Sequence, residues 1–542
     1  MPIAAGAIGI LHPQKFLPAE GLLIEMLPLD LIMIAVLISG ILLGFPVSFT
    51  IAGVATLFAI IGQFTGAMDI ALLGALGQRF FGVMTNNVLI AIPLFVFMGV
   101  VLEKSRIAED LLETMGQLFG KLRGGLGVSV VLVGALLAAS TGIVGATVIA
   151  MGLIALPTML RNGYNPKLAS GVVCTAGTLG QIIPPSTLLI ILSDVMSNSY
   201  QQAQFAQGKF TVETISVGQI FSAALLPGLL LVLIYIVYLL VRAWLIPADA
   251  PAVKVEETSG QLSIARIMGA ILPPVLLIIA VLGAILGGVA TPTEAASVGA
   301  VGAFILAGNR LGLSARVTMI GVLALAGLAI AAGLAPVKLQ RSDAGLMEIL
   351  QGGIYGLLAV IGVIVLLQSI LRLHQKKILS PSLTSTMTVT AMIFATILAA
   401  SFFSLVFVGL GGEERIASLI EAMPGGPTGA LFFCMLILFV LGFFLDFVEI
   451  TVIVLPLMVP ALIIMGHDPI WLSILIAINL QTSFLTPPFG FSLFYLRGVA
   501  PPEITTASIY LGVAPFIVLQ LVGISVIWWF PEVAKFLPAI LF

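Results

Sequence analysis

The chain has 542 residues, of which 60% are hydrophobic and 8% are charged, and its mean hydropathy is +1.22. Soluble globular domains are about 45–50% apolar and about 25% charged, so this composition excludes a soluble protein and indicates one that crosses a membrane many times. The formal net charge of -2, with charges grouped between apolar runs, gives no indication of nucleic-acid binding.

Long apolar runs predict the membrane-spanning helices, because about 20 apolar residues are needed to cross a bilayer. Residues before 28 lack the basic region and the cleavage site of a signal peptide, so we expect them to be retained. The loop with Arg372, Lys376 and Lys377 is predicted to be cytoplasmic. In chain order the runs cover 29–62, 86–102, 125–160, 168–197, 215–244, 266–308, 315–335, 351–373, 386–410, 428–465, 470–496 and 507–530.

Two of the longest runs are predicted to be helical hairpins that enter and leave the membrane on one side. Run 125–160 has a small and polar centre at Ser140-Thr141-Gly142, where a continuous membrane helix is disfavoured. Run 428–465 is its counterpart, and its centre lies between Gly442 and Thr451. Each hairpin is followed by an apolar run with a proline pair, so the repeating unit is a hairpin plus a broken helix.

The two proline pairs are the strongest functional signal in the chain. Gly180-Gln181-Ile182-Ile183-Pro184-Pro185-Ser186 is matched 303 residues later by Ser483-Phe484-Leu485-Thr486-Pro487-Pro488-Phe489. A Pro-Pro pair removes two backbone donors and breaks a membrane helix, which leaves carbonyl groups without partners. Paired breaks at corresponding positions of two repeats are typical of a transporter binding site near the bilayer midplane. The alternative is a structural kink satisfied by neighbouring helices.

Several ionisable residues lie inside or beside these apolar runs. Asp446 and Glu449 fall in the second hairpin tip, where they are predicted either to contact a substrate or to be solvated at the mouth of a cavity. Glu294, which follows Pro292, is predicted to orient the start of a helix. Asp194 and Arg497 correspond in the two repeats and are predicted to lie near helix ends.

The remaining residues argue against an enzyme. His12, His374 and His467 are scattered among loops without neighbouring ligands, so neither a metal site nor a histidine-based catalytic set is indicated. Cys174 and Cys434 each lie in an apolar segment and are predicted to pack as small hydrophobic residues. The sequence contains no Gly-x-Ser-x-Gly elbow, no His-Glu-x-x-His pair and no phosphate-binding loop, which disfavours an intramembrane enzyme and an ATPase.

Four stretches resemble the large membrane subunit, called M or DctM-type, of the tripartite ATP-independent periplasmic (TRAP) transporters. They are Ala91-Ile92-Pro93-Leu94-Phe95, Gly177 to Ser186, Thr291-Pro292-Thr293-Glu294-Ala295-Ala296 and Gln481 to Gly490. The likeness extends from about residue 28 to the C-terminus. Residues 309–385 depart from it, because two extra apolar runs replace a short connection. No small four-helix subunit precedes residue 28, so that partner is expected to be a separate chain.

The resemblance implies sodium-coupled uptake of a small organic acid across the bacterial inner membrane, with sodium as the coupling ion and no other cofactor. It implies two partners, a small DctQ-type membrane subunit and a periplasmic DctP-type binding protein that delivers the substrate. The implied fold is an all-α polytopic membrane protein of the ion-transporter superfamily, with inverted repeats, two hairpins and two broken helices that move as an elevator. The alternative function is a stand-alone sodium-coupled anion or carboxylate carrier of the related superfamily.

The resemblance also implies the residues of two ion sites. The first sodium ion is expected at the carbonyls of Gly180, Ile183 and Pro185, with Ser140 and Asn87 opposite. The second is expected at Gly442, Ser483, Thr486 and Phe489. A substrate anion is predicted between the hairpin tips, where half-helices beginning near Ser186 and Phe489 present free N–H groups; Ser186, Thr187, Asp446 and Glu449 are its candidate contacts.

These expectations divide the chain into a mobile transport arm and a fixed scaffold arm. The predicted divisions are an N-terminal extension (1–27), scaffold helices (28–124), the first transport repeat (125–214), scaffold helices (215–308), an insertion with two spans (309–385), a scaffold helix and loop (386–427), the second transport repeat (428–500) and a C-terminal scaffold helix (501–542).

Overall fold

The computed structural model describes residues 28–209, 211–253, 264–337 and 345–542, and every regular element in these ranges is helical. The predicted N-terminal extension lies outside the described residues. The helices are α1 Leu29–Leu42, α2 Val47–Thr65, α3 Leu76–Met84, α4 Ala91–Lys104, α5 Ile107–Phe119, α6 Gly125–Thr141, α7 Val144–Arg161, α8 Pro166–Thr178, α9 Thr187–Ala206, α10 Val217–Leu245, α11 Ile264–Leu286, α12 Pro292–Arg310, α13 Ala315–Leu334, α14 Leu346–Gln375, α15 Leu379–Gly409, α16 Gly412–Glu421, α17 Gly426–Leu441, α18 Phe447–Ile464, α19 Pro469–Leu485, α20 Phe491–Val499, α21 Thr506–Trp529 and α22 Glu532–Leu541.

Nine helices of the described residues are long and apolar enough to cross a membrane, which confirms the predicted polytopic fold. Two predicted runs are divided into helix pairs. Run 29–62 forms α1 and α2, which are separated at Gly44, where φ is +86°. Run 266–308 forms α11 and α12. Thr291 and Glu294 make a reciprocal capping box at the start of α12, with Pro292 at its first position, so the predicted role of Glu294 is confirmed.

Short amphipathic helices occupy parts of two segments, 103–110 and 413–421, whose clustered charges predict loops between the apolar runs. Helix α5 carries Glu109 and Asp110 in its first turn and buries Leu111, Leu112 and Met115 on the opposite face. Helix α16 likewise begins with acidic residues. The prediction of loops at 103–110 and 413–421 was wrong in these parts, because a charged face does not prevent a helix whose other face is covered.

The helix ends form one basic surface and one acidic surface. On the basic side, Arg310 pairs with Asp110, and Asn165 bonds to Asp249, so the ends of α5, α8, α10 and α12 lie together. Lysine and arginine concentrate on the cytoplasmic side of membrane proteins, which orients this surface to the cytoplasm. Its cations include Lys121, Arg123, Arg161, Lys167, Arg242, Arg310, Arg372, Lys376 and Lys377. The opposite side carries Glu213, Glu413, Glu414, Glu421 and Asp468, together with the cations Arg415 and Lys535.

Both predicted hairpins are confirmed, and they enter the membrane from opposite sides. The first hairpin is α6 and α7, which turn at Gly142 with φ +60°. Its base lies at the cytoplasmic surface. The second hairpin is α17 and α18, whose base lies on the acidic side, where His467 contacts the Pro427 carbonyl. The two repeats are therefore inverted relative to one another, as expected for this class of fold.

The insertion forms two antiparallel helices, α13 and α14, that pack on the scaffold. Both meet the criteria for membrane spans, as predicted. Glycines permit the close packing: a Cβ on Gly321 would lie 2.7 Å from Val365 Cβ, and one on Gly362 would lie 2.6 Å from Leu325 Cγ. Helix α14 also packs on α12, so the insertion is an integral part of the bundle.

Helices α10 and α21 pack against the transport repeats. Helix α21 lies along α8, where Gly512 is so close to α8 that an added Cβ would lie 2.9 Å from the Lys167 carbonyl carbon. Helix α10 contacts α6 and α19. The sequence analysis assigned both helices to the scaffold. The packing groups them with the repeats, while the functional division into arms stays a prediction.

Candidate functional site

The first break lies between α8 and α9 and is entirely buried. After Thr178 the chain makes one short 3-10 turn, passes through Pro184 and Pro185, and restarts as α9 with Ser186 as its N-cap. Ser186 Oγ donates to the Gln181 carbonyl over 2.9 Å, which closes the loop on itself. Among the described residues, no hydrogen bond is donated to the carbonyl of Ile183 or of Pro185. Two oxygen ligands are thus available at membrane depth.

The second break lies between α19 and α20 and is partly accessible. The Thr486 carbonyl accepts from the Gly490 N–H over 3.0 Å, and Tyr510 donates to the Pro488 carbonyl over 2.9 Å. The Phe489 side chain is 44% exposed, whereas the corresponding Ser186 is fully buried. The two breaks therefore share one register but differ in accessibility.

The tip of the first hairpin is held against the first break. Thr187 Oγ1 donates to the Gly142 carbonyl over 2.5 Å. A Cβ on Gly142 would lie 3.1 Å from the Thr187 backbone nitrogen, and φ at Gly142 is +60°, so glycine satisfies both the space and the backbone conformation. Hairpin and broken helix thus meet at the predicted substrate residue Thr187. The side chain of Ser140, a predicted ion ligand beside this tip, lies outside the described part of the structure.

The tip of the second hairpin meets the second break through another glycine. Helix α17 ends at Gly442, and a Cβ there would lie 2.6 Å from Ser483 Cβ. The Phe444 and Phe489 rings also face each other, with centroids 5.3 Å apart. No hydrogen bond to the carbonyl of Gly442 or of Phe489 occurs among the described residues. The structure therefore brings together the predicted second ion set, with two carbonyl oxygens free to accept a cation.

Asn87 lies apart from the rest of the predicted first ion set. Gly180, Ile183 and Pro185 are all buried in the first break. Asn87 is exposed, and its carbonyl accepts a hydrogen bond from Thr293 at the start of α12. Its hydrogen bond joins it to α12 of the scaffold, whereas the three residues of the break are buried within the first repeat. A role for Asn87 in ion binding stays a prediction.

Asp446 and Glu449 cap the second arm of the second hairpin. Asp446 Oδ1 accepts from the Phe447 N–H over 2.7 Å, and Glu449 Oε2 accepts from the Asp446 N–H over 2.5 Å. This is a capping box, in which two carboxylates satisfy the free donors of a helix start. Glu449 is 8% exposed, so it is not a solvated residue at a cavity mouth. Their predicted contact with a substrate stays open beside this structural role.

The carboxylate of Asp194 connects the first broken helix to the scaffold. Asn86 Nδ2 donates to Asp194 Oδ1 over 2.8 Å, and Asn198 lies one turn further along α9. Asp194 lies inside α9, so its predicted place near a helix end was wrong, while Arg497 does lie in the last turn of α20. A cavity of about 440 Å³ opens beside this contact, between α9, α15 and the segment around Arg79.

Three polar residues at the centre of the site were not predicted. Gln481 Nε2 donates to Thr178 Oγ1 over 3.4 Å, and these two residues are 303 positions apart. Gln181 lies one 3-10 turn beyond Thr178. All three side chains are buried. If the offset of 303 is applied to every polar residue near the breaks, it pairs Thr178 with Gln481. This pairing is the feature of the sequence that could have predicted the contact.

Comparison with known proteins agrees with this geometry. A family model described as "Tripartite ATP-independent periplasmic transporter, DctM component" matches residues 32–533. The C4-dicarboxylate TRAP transporter large permease protein DctM of Vibrio cholerae is 28% identical over 481 residues, covering 87% of this chain and 90% of the relative. The ectoine/5-hydroxyectoine TRAP transporter large permease protein UehC of Ruegeria pomeroyi is 26% identical, covering 92% of this chain and 96% of the relative.

One solved structure shows the same fold at low sequence identity. The YdaH transporter of Alcanivorax borkumensis superposes with a TM-score of 0.52 at 15% identity, covering 84% of this chain and 87% of that chain. At this identity the likeness concerns the fold alone. It agrees with the two inverted repeats of hairpin and broken helix described above.

Proposed function

Because the chain belongs to the DctM family, and is therefore the large permease subunit of a TRAP transporter, we propose that it couples the uptake of a small organic acid to an inward sodium gradient. A multi-pass protein of the bacterial inner membrane is the setting for this function. Membership of this family also implies two partners, a small membrane subunit and a periplasmic substrate-binding protein. We propose that the binding protein selects the substrate.

The observation that carries the proposal is the paired contact of hairpin tip and break. Each break presents carbonyl oxygens that accept no hydrogen bond from the described residues, those of Ile183 and Pro185 in the first repeat and that of Phe489 in the second. Unwound carbonyls of broken helices are the usual sodium ligands in secondary transporters. The Gly442 carbonyl, at the second tip beside Ser483, also accepts no hydrogen bond from the described residues. These free oxygens support the proposal of two sodium sites, one at each break.

The substrate is proposed to bind between the two tips. Helix α9 begins at Thr187, and its first N–H groups point toward the break, where the positive end of the helix dipole favours an anion. The hydroxyls of Ser186 and Thr187 lie at the same place. The relatives named for C4-dicarboxylates support a carboxylate as the class of substrate. Asp446 and Glu449 are proposed to shape the second tip through their capping box.

The membrane potential supplies the free energy for uphill uptake. One positive charge that moves inward releases about 2.3 kcal/mol per 100 mV. Two sodium ions with a monovalent anion carry one net positive charge. The sodium concentration gradient adds to the free energy that this charge movement releases. We propose that the repeats carry the site across the membrane as a rigid body, in an elevator movement against the scaffold, because both tips and both breaks pack into one unit.

Uptake into proteoliposomes tests the proposal. The full chain, its small subunit and the binding protein are reconstituted, and a panel of labelled organic acids is offered with an inward sodium gradient. We expect uptake that requires both sodium and the binding protein. Uptake by this chain alone would instead indicate a stand-alone carrier, and uptake that is indifferent to sodium would refute the ion sites.

Replacing Thr486 with alanine is expected to raise the sodium concentration for half-maximal uptake by about tenfold. A hydrogen-bonding group contributes about 0.5–1.5 kcal/mol, and 1.4 kcal/mol is a factor of ten. Thr388→Ala is the matched control, because Thr486 and Thr388 each donate to the carbonyl four residues earlier, over 2.7 and 2.9 Å. Equal sodium dependence in the two variants would argue against a role for Thr486.

Replacing Thr187 with valine is expected to weaken both sodium dependence and substrate affinity. Valine has nearly the shape of threonine but cannot donate to the buried Gly142 carbonyl, so the first tip loses its bond to the break. We expect half-maximal uptake to require roughly tenfold more substrate and sodium. Thr386→Val, which removes only a bond within α15, serves as the control. A wild-type response in Thr187→Val would show that this bond is dispensable.

A further inference from the structure

The two broken helices meet at residues that the repeat makes equivalent. Thr178 ends α8, Gln481 lies one turn before the end of α19, and a hydrogen bond joins them. Thr178 Oγ1 already donates to the Thr175 carbonyl over 2.8 Å, so toward Gln481 it can only accept. The amide of Gln481 must therefore present its nitrogen to Thr178 and its oxygen elsewhere. This contact lies at the pseudo-twofold axis between the repeats.

Four polar atoms around this contact have no hydrogen-bond partner among the described residues. They are Thr175 Oγ1, Gln181 Oε1, Gln181 Nε2 and Gln481 Oε1. Thr175, Gln181 and Gln481 are each at most 1% exposed. Residues 175, 178 and 181 follow a spacing of three through the last helical turn and the 3-10 turn, so they share one face. Helix α19 packs against that 3-10 turn, so Gln181 and Gln481 belong to elements that are in contact.

The unpartnered atoms include both donors and acceptors. A cation would satisfy only the oxygens and would leave the Gln181 amide nitrogen without a partner. Water donates and accepts, and buried water commonly makes about three hydrogen bonds to such groups. Polar groups left unsatisfied at membrane depth cost several kcal/mol each. The chemistry of this cluster therefore selects water as its ligand.

The cluster also connects the two predicted ion sites. Gln181 stands between Gly180 and Ile183 in the first break, and its carbonyl holds Ser186. Gln481 stands two residues before Ser483, which contacts the Gly442 tip. A displacement of either break therefore moves one side of the hydrogen-bonded cluster. No other hydrogen bond between the two broken helices joins positions related by the repeat in the described part of the chain.

We propose that Thr178, Gln181 and Gln481 form a hydrated polar bridge through which sodium at one break favours sodium at the other. This inference rests on the proposed sodium coupling. Without the bridge, each break keeps its own carbonyl ligands but loses the link to its counterpart. Sodium binding then becomes independent at the two sites. A coupling free energy requires a structural element whose equilibrium is shifted by binding at either site.

Sodium titration of the purified full-length chain with its small subunit tests the bridge without any substrate. Sodium chloride is titrated against choline chloride at constant ionic strength, and the thermal stability of the complex is recorded. We expect a Hill coefficient near 2 for the wild type and near 1 for Gln481→Leu. We also expect apparent sodium affinity to fall by about fivefold or more, the lower range of ordinary coupling between sites.

Two further variants keep the result interpretable. Thr178→Val removes the hydroxyl that accepts the hydrogen bond from Gln481, and valine has nearly the shape of threonine. This variant should reproduce the effect of Gln481→Leu. Gln204→Leu is the control: Gln204 is also a buried glutamine of a broken helix, and it bonds to the Glu213 backbone. It lies 17 residues beyond Thr187 in α9, about 25 Å from the break. It should lower thermal stability without changing the Hill coefficient.

The outcomes separate this inference from the proposed function. No sodium-specific stabilisation of the wild type would refute sodium coupling itself. A wild type that binds sodium with a Hill coefficient of 1 would overturn the bridge and leave sodium coupling intact. Wild-type cooperativity that persists in both Gln481→Leu and Thr178→Val would also overturn the bridge.

Discussion

Replacing Gly442 with alanine is expected to lower sodium-driven uptake by about tenfold or more. The φ angle of Gly442 is −66°, a value that alanine adopts freely, so any loss comes from space. The added methyl carbon would lie 2.6 Å from Ser483 Cβ, and both residues are fully buried. Overpacking of this kind costs about 1–3 kcal/mol, and 1.4 kcal/mol is a factor of ten. The second tip must then move away from the break.

The matched control is Gly498→Ala, in α20 of the same transport repeat, where an added methyl group has no neighbour within 4 Å. Sodium-driven uptake and thermal stability should be measured for both variants in the same reconstitution. We expect Gly498→Ala to transport like the wild type. Equal transport by Gly442→Ala would show that the tip need not touch Ser483, which would remove Gly442 from the second ion site.

Replacing Gly512 with alanine is expected to destabilise the fold more than any other single methyl addition discussed above. The new carbon would lie 2.9 Å from the Lys167 carbonyl carbon and 3.1 Å from the Gly171 nitrogen, and all of these atoms are backbone. A backbone neighbour cannot rotate aside, so α8 and α21 must separate along their length. We expect a loss of about 1–3 kcal/mol or more, seen as a lower unfolding temperature of the purified complex.

Gly327→Ala in α13 provides the comparison, because this glycine lies in a membrane helix and an added methyl group has open space around it. It should unfold at the wild-type temperature or slightly above, since alanine favours a helix over glycine by about 1 kcal/mol. Identical unfolding temperatures for Gly512→Ala and Gly327→Ala would contradict the close packing of α8 and α21.

The breaks and hairpins could be predicted because they depend on covalent features of single residues. Pro184 and Pro185 cannot continue a helix in any environment, and the same is true of Pro487 and Pro488. Gly142 permits the left-handed turn of the first tip. The match of offset 303 then identified the repeat without any knowledge of packing. The sequence did not show that the two hairpins enter from opposite sides of the membrane. That assignment became possible when the structure showed which helix ends form the basic surface.

Features that depend on distant neighbours could not be read from the sequence. Helix α5 looks like a charged loop until its apolar face is seen to lie under α6 and α11. Helix α21 is an ordinary apolar span in the sequence, and only the contact of Gly512 with α8 assigns it to the repeats. Thr178 and Gln481 are inconspicuous singly, because their significance comes from their contact across 303 residues.

The unequal accessibility of the two breaks has a consequence for the transport cycle. The first break is sealed and the second exposes Phe489, although both have the same register. A sodium ion proposed to bind at the second break is therefore closer to water than one at the first break, which is enclosed by buried residues. We expect the two proposed ions to leave in order, the one at the second break first.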